Sequence, residues 1–286
     1  MQSGNSIGVN GVTARAVVDR KSGELHRRLL SAAVLAALAL AAVYWGGLYY
    51  PLLILAFALV MAWEWDRLCG EGAFGLSGAA LMLVAAAVVY MAATGHHLVA
   101  LAVNLCGALF VLAVARLAGR PNPTWIALGA LYIGVPVLAL VWLRGDGAFG
   151  RDVVLWLFAV VWATEIGAYA CGRLIGGPRL APRISPKKTW AGAVGGILAA
   201  VLVSVAAAEV AAAEPKGLLL FAVLVSGAAQ GGDLLESAVK RHFGVKDMSR
   251  VIPGHGGVFD RVDGVLIAAP VTALVWLAGG GIASWR

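Results

Sequence analysis

The sequence predicts an all-α polytopic membrane protein, a bundle of about nine transmembrane helices. Three observations carry that prediction. Of 286 residues, 61% are hydrophobic and 13% are charged, against about 45–50% and about 25% in soluble domains. One soluble core could not bury so much apolar surface, which excludes an ordinary soluble enzyme and a disordered chain. The apolar residues fall in runs close to the ~20 needed to cross ~30 Å of hydrocarbon at ~1.5 Å per residue. Lys and Arg are concentrated in alternate segments between those runs.

The first 23 residues are polar and aperiodic and read as a mobile cytoplasmic tail. Residues 24–286 then form a single integral membrane domain, whose motif-bearing part is 164–264. The candidate spans are Leu29–Trp45, Leu48–Trp63, Leu76–Ala93, Leu98–Ala115, Trp125–Leu143, Val153–Cys171, Ala191–Ala211, Gly217–Gly231 and Val262–Leu277. Arg27-Arg28 before the first run would suit a signal peptide, but Gly46-Gly47 and a second apolar run follow at once, which favours a helical hairpin. The runs are too continuous for alternating barrel strands, and in lipid a helix satisfies its own backbone. Scattered Gly and Ala mark close helix packing, with no internal repeat of the transporter kind. Cys69, Cys106 and Cys171 share no metal-ligand spacing and read as small apolar residues.

Alternating the spans from a cytoplasmic N-terminus places 18 of the 22 Lys and Arg residues on the cytoplasmic side. Only Arg144, Arg151, Lys216 and Arg286 remain outside, with the C-terminus. That asymmetry obeys the positive-inside rule. The net charge of +7 thus points to an anionic lipid or substrate, with no nucleic-acid partner.

Two cytoplasmic segments carry the unusual polarity. In Ser185-Pro186-Lys187-Lys188-Thr189, Ser suits an N-cap and Pro the first helical position, so the seventh span is expected to start there. A helix N-terminus with two Lys suits phosphate, although Lys at a helix end also serves simply as a membrane anchor. Asp233, Glu236, Ser237 and Lys240 share one face if the eighth span continues past the bilayer. A carboxylate there needs a partner, a metal or a proton, and an internal Asp–Lys pair would also meet that need. Asp260 and Asp263 are three apart at the start of the ninth span. Two acids entering a membrane together favour a hard cation between them, Mg²⁺ best of all. The glycines of Pro253-Gly254-His255-Gly256-Gly257 allow a sharp turn and close approach to a phosphate. Glu64, Asp66 and Glu165 are intramembrane acids that line a wet cavity or pair with Arg from a neighbouring loop. His96-His97 reads as a solvated loop, and His26 and His242 as surface residues. Trp63, Trp65, Trp125 and Trp162 read as interface or packing residues.

Together these features indicate phosphate chemistry at a cytoplasmic membrane face. Ser237-x-x-Lys240-Arg241-x4-Lys246-Asp247, followed by Pro253-x-His255-Gly256-Gly257-x-x-Asp260-Arg261-x-Asp263, resembles the signature of CDP-diacylglycerol synthases (phosphatidate cytidylyltransferases). Ser185 to Trp190 and Gly167-Ala168-Tyr169 are similar to the same family. Glu165 stands where the pattern has Asp, and Ala191 where it has Glu.

The resemblance implies transfer of the cytidylyl group of CTP to phosphatidate, giving CDP-diacylglycerol and pyrophosphate for phospholipid synthesis. It implies a two-cation site, with Mg²⁺ held by Asp233 and Asp260 and supported by Asp263. Lys187, Lys188, Lys240 and Arg241 would bind triphosphate or lipid phosphate, and His255, Gly256 and Gly257 would position a phosphate. Ser185, Thr189, Ser237, Lys246, Asp247 and Arg261 complete the expected substrate site. The expected setting is a bacterial plasma membrane, with the lipid bilayer as partner, a polar funnel among the C-terminal spans, and homodimerisation left open. A transporter would instead place its acids near the midplane, and a non-catalytic relative would carry a degraded signature.

Overall fold

Nine helices and one short hairpin make up residues 30–147, 149–211, 215–252 and 256–279, the residues described by the computed structural model. The polar tail, His26 and His255 lie outside the described residues. The helices are α1 Leu30–Trp45, α2 Tyr49–Cys69, α3 Leu76–Ala93, α4 His97–Leu117, α5 Pro123–Gly145 and α6 Gly150–Leu174. After the strands β1 Arg179–Ala181 and β2 Ser185–Thr189 come α7 Trp190–Ala211, α8 Pro215–His242 and α9 Phe259–Ala278. Among the described residues seven helices, α3 to α9, are long and apolar enough to cross a membrane. α1 is shorter, and α2 is a 21-residue helix that ends in Glu64, Asp66 and Arg67.

The turn between α1 and α2 shows why glycine stands there. Gly46 and Gly47 both have left-handed backbone, at φ 63° and 51°. A Cβ on Gly46 would lie 2.2 Å from the Arg144 guanidinium, whose Nε donates to Val43 O at 2.7 Å. The expected helical hairpin is therefore formed, tied to the end of α5.

Contacts between helix ends show the alternation of the bundle. The Arg144 bond joins the ends of α1 and α5, and Trp276 Nε1 near the end of α9 donates to Asp146 just after α5. At the opposite face, Trp65 Nε1 in α2 donates to Trp125 O at the start of α5, at 2.7 Å. Arg120, after α4, pairs with Asp66 of α2 at 3.0 Å. Asp66 also accepts from Ser77 Oγ at 2.6 Å and from Gly75 N at 2.9 Å. Of the two readings open for this intramembrane acid, pairing with a loop arginine is the one realised.

Trp65, Tyr132 and Phe259 join α2, α5 and α9 in an aromatic cluster, with ring centroids 5.3–5.6 Å apart. α6 and α7 approach more closely than large side chains permit. A Cβ on Gly195 would lie 2.4 Å from Cys171 Cβ, and one on Gly167 would lie 2.7 Å from Gly195 O. Lipid tails are as apolar as leucine, so such helices gain from close van der Waals fit rather than from exclusion of water.

Three boundaries differ from expectation. Ser185 does not cap a helix and Pro186 does not open one. Ser185–Thr189 is a strand that pairs antiparallel with Arg179–Ala181, Ser185 facing Ala181 and Thr189 facing Arg179. Proline is tolerated in a two-stranded hairpin because an edge position need not donate to the ladder. Thr189 takes the capping role, its Oγ1 accepting from Gly192 N at 3.1 Å, three residues on, as an N-cap does. α8 runs eleven residues past Gly231, to His242, and α9 begins at Phe259 rather than Val262. His97 is the first residue of α4, while His96 precedes it and is exposed.

Asp66→Asn keeps the side-chain volume but removes the charge facing Arg120. Breaking one side of a buried pair costs about 3–5 kcal/mol. A clear fall in thermal midpoint in detergent is expected, larger than that of Ser77→Ala; equal midpoints would show the pair to be inert.

Candidate active site

The polar centre is built where α6, α8 and α9 meet the β-hairpin. α8 is one unbroken helix across its polar end, so offsets of three, four and seven place Asp233, Glu236, Ser237 and Lys240 on one face. α9 brings Asp263 against them. Carboxylate oxygens of Asp233, Glu236 and Asp263 all lie within 4.8 Å of one another. Close packing makes this possible, since a Cβ on Gly232 of α8 would lie 2.5 Å from Asp263 O.

Two lysines flank the acids. Lys188 Nζ, from β2, lies 2.6 Å from Asp233 Oδ2. Lys240 Nζ lies 2.5 Å from Glu236 Oε2 and 2.7 Å from Asp260 Oδ1. Lys240 thus bridges Glu236 to Asp260, which is not one of the three converging acids. Its other oxygen accepts from Met248 N at 3.0 Å and Gly257 N at 2.7 Å. These bonds pin the loop between α8 and α9 to the first turn of α9. Gly256 is left-handed, at φ +84°, and a Cβ there would lie 2.8 Å from Asp260 Oδ2. The close approaches at Gly256 and Gly257 are thus to carboxylates, Asp260 and Glu64, in this structure.

Glu64 of α2 is fully buried and completes the support. It accepts from Ser249 Oγ at 2.6 Å, Val258 N at 2.8 Å and Phe259 N at 3.0 Å. A helix N-terminus leaves amides unpaired, and a carboxylate satisfies them while complementing the dipole.

The remaining candidates spread outward. Ser237 Oγ lies 3.5 Å from Asp233 Oδ1. Arg241 is exposed and donates to the carbonyls of Ile184, at 3.4 Å, and Val245, at 3.0 Å, so it links the hairpin to the α8–α9 loop. Lys187, Lys246, Asp247 and Arg261 are exposed, and Ser185 is half-buried. Glu165 of α6 is exposed and interacts electrostatically with Asp233, Arg261 and Lys188. Exposed His242 lies against Trp125, with ring centroids 4.8 Å apart.

Two contributors were underweighted by sequence reasoning. Glu236 shares the α8 face and also converges with the two aspartates, and its offset of three from Asp233 is the signal in the sequence. Glu64 was legible only as an acid ending an apolar run, because its partners are 185–195 residues away.

The donor set fits a hard divalent cation. Three carboxylates converge, without thiol or imidazole among them, which suits Mg²⁺ or Ca²⁺ rather than softer metals. Glu236 Oε1 is buried and accepts no hydrogen bond among the described residues. Counted formally, Glu165, Asp233, Glu236, Asp260 and Asp263 outnumber Lys188, Lys240 and Arg261 by two negative charges. A divalent cation would balance them.

Residues 26–278 match the Cytidylyltransferase family. A phosphatidate cytidylyltransferase of Brucella suis biovar 1 is 42% identical over 259 residues, covering 89% of this chain and 93% of that protein. One from Pseudomonas aeruginosa is 35% identical over 271 residues, covering 90% and 99%. A third, from Staphylococcus haemolyticus, is 39% identical over 146 residues, or 50% of this chain and 55% of that protein. The chain is an integral membrane nucleotidyltransferase by class, and it belongs to the cytidylyltransferase family.

Asp260→Asn should loosen the α8–α9 loop. Hydrogen exchange at the Met248 and Gly257 amides is expected to accelerate by about tenfold or more, since a hydrogen bond to a charged group contributes about 1.5–3 kcal/mol, while α3 to α5 stay protected. Unchanged exchange at both amides would show that Asp260 does not hold the loop.

Proposed function

We propose that this chain transfers the cytidylyl group of CTP to phosphatidate, releasing pyrophosphate and forming CDP-diacylglycerol at the inner face of a bacterial plasma membrane. The observation that carries the reading is the cluster of Asp233, Glu236 and Asp263 flanked by Lys188 and Lys240 at one end of the helical bundle. The family match and the relatives named phosphatidate cytidylyltransferase support it.

In the reaction an oxygen of the phosphatidate phosphate forms a bond to the α-phosphorus of CTP. The bond from that phosphorus to the bridging α–β oxygen breaks, and its electron pair leaves with pyrophosphate. Such transfer needs alignment and charge neutralisation rather than covalent participation by the protein. Asp233, Glu236 and Asp263 would hold Mg²⁺, which neutralises phosphate charge and orients the phosphates when bound. Lys188 and Lys240 stand beside the acids, placed to exchange a carboxylate for a phosphate oxygen. Asp260 is assigned to holding Lys240 and the loop, and Glu64 to holding the start of α9. The attacking phosphate is ionised near neutral pH, so no general base is assigned. A second cation, if bound, would have to draw on the same crowded acids.

Orientation follows from charge. Arg67, Arg116 and Arg173 in the last turns of α2, α4 and α6, Arg120 just after α4, and Lys187 and Lys188 of β2 lie toward the site end of the bundle, and Arg144 and Arg151 toward the other. The positive-inside rule places the site in the cytoplasm, where CTP is, and the end of α9 outside.

Purified protein in detergent, given CTP, phosphatidate and Mg²⁺, should form CDP-diacylglycerol and pyrophosphate in equal amounts. EDTA should abolish product. Asp233→Ala and Asp263→Ala should each lower turnover by about 10²-fold or more. Absence of product from the native chain, or full activity in both variants, would refute the reading. In a chain whose Cys69, Cys106 and Cys171 are replaced by Ala, Lys187→Cys should react with an impermeant maleimide only from the cytoplasmic side of sealed vesicles; labelling from the outside alone would invert the assigned orientation.

A further inference from the structure

An apolar cavity of about 290 Å³ lies between α1, α2, α5, α6 and α9, close to the lower end of ordinary small-ligand pockets. Its α2 wall runs from Met61 to Tyr50. The eleven steps between them at ~1.5 Å each give a depth of about 16 Å, about half the ~30 Å hydrocarbon thickness, or the thickness of one leaflet. Met61 is one turn from Glu64, which accepts the Phe259 amide, so one end of the cavity lies at the start of α9. There Arg261 is the one charged residue, among the described residues, that lines the cavity.

We propose that this slot takes one acyl chain of an anionic glycerophospholipid substrate, with Arg261 binding that lipid's phosphate at its head. The proposal rests on the cytidylyl-transfer reading and gives its lipid substrate a place. Arg261 is exposed, and among the described residues its backbone N donates to Val258 O while its guanidinium has Glu165 as an electrostatic neighbour and no side-chain hydrogen bond or close ion pair, which leaves its planar donors to a phosphate. α9 divides its faces. Arg261, Val262, Val265 and Leu266 line the slot, while Asp263 joins Asp233 and Glu236 of α8. A phosphate on Arg261 would lie within one turn of Asp263 but on the other face of α9, with its chain running along the helix axes. Glu165 interacts electrostatically with both Arg261 and Asp233, which links the slot's head to the cluster.

The α1 wall explains the empty space. Ala32, Leu35, Ala36 and Ala39 line the slot at the spacing of one helix face, and three of the four are alanine. Moving a chain from bilayer to slot yields no hydrophobic gain, because lipid tails are themselves apolar. The slot therefore acts through shape: it selects chain length and aligns the headgroup, and it does not supply bulk affinity.

The test compares a phosphatidate with two 18-carbon chains against one with two 6-carbon chains, and adds a long-chain analogue carrying a photoreactive diazirine near the chain end. Ala36→Phe should lower the long-to-short ratio of kcat/KM at least tenfold without moving KM for CTP. It should also abolish photolabelling of the α2 peptide around Phe57. Ala37→Phe, on the exposed side of the same helix, should leave both readouts as in the native chain. Should Ala36→Phe fail to fold, Ala39→Leu narrows the same wall and should move both in the same direction. Arg261→Gln should raise KM for both lipids and not for CTP; the opposite pattern would overturn its assignment. An unchanged ratio and unchanged labelling in folded wall variants would overturn the slot. Labelling that Ala36→Phe abolishes, in a chain that makes no CDP-diacylglycerol, would uphold the slot and refute the cytidylyl-transfer reading instead.

Discussion

The carboxylate of Glu64 holds the start of α9, and the site depends on that one anchorage. Glu64 is fully buried at the end of α2, yet it accepts one hydroxyl and two backbone amides from residues 249, 258 and 259. An isolated carboxylate in such a place would be prohibitively costly. Here the cost is offset because α9 must begin somewhere, and its free amides need an acceptor as much as the carboxylate needs donors. The result fixes both the depth and the rotation of α9. Those two quantities decide whether Asp263 meets Asp233 and whether Arg261 faces the apolar slot.

Around that anchor the charges alternate. Lys188 meets Asp233, and Lys240 lies between Glu236 and Asp260. In a low-dielectric setting unpaired charge is expensive, so each cation stands where it limits repulsion between acids. The balance is incomplete by design of the residues themselves, since the acids outnumber the bases. That surplus of negative charge is what the proposed divalent cation would balance. The same arrangement explains why Arg120–Asp66, only a few residues from Glu64, is structural: its charges already balance, and Ser77 Oγ and Gly75 N donate to the Asp66 carboxylate.

Much of the fold was legible in the sequence because lipid imposes simple demands. Apolar runs near the required length located the helices to within a few residues, and the Gly46-Gly47 hairpin followed from their spacing. The exceptions have local causes. Ser185-Pro186 carries a helix-start signal, but Thr189 offers an equivalent hydroxyl nearer the apolar run, and the segment before it pairs with Arg179–Ala181. Hydropathy falls at Asp233, but α8 continues to His242 because its polar face has partners. The site was legible in part. Offsets of three and four identified the acidic face of α8, and intramembrane acids drew attention to Glu64, Asp66 and Glu165. That Asp263 meets Asp233 and Glu236 while Asp260 meets Lys240 could not be read from a spacing of three alone.

By itself the sequence determined that the chain is a helical membrane protein with its charge gathered at one face, because burying apolar runs in lipid and retaining cations on one side are properties of composition and order. It also determined which acids and lysines were available for phosphate chemistry. The tertiary structure alone decided their pairing. Whether a carboxylate binds a cation, holds a lysine or caps a helix depends on which groups stand within about 3 Å of it. Those groups come from helices that are distant in the chain and are brought together only by packing.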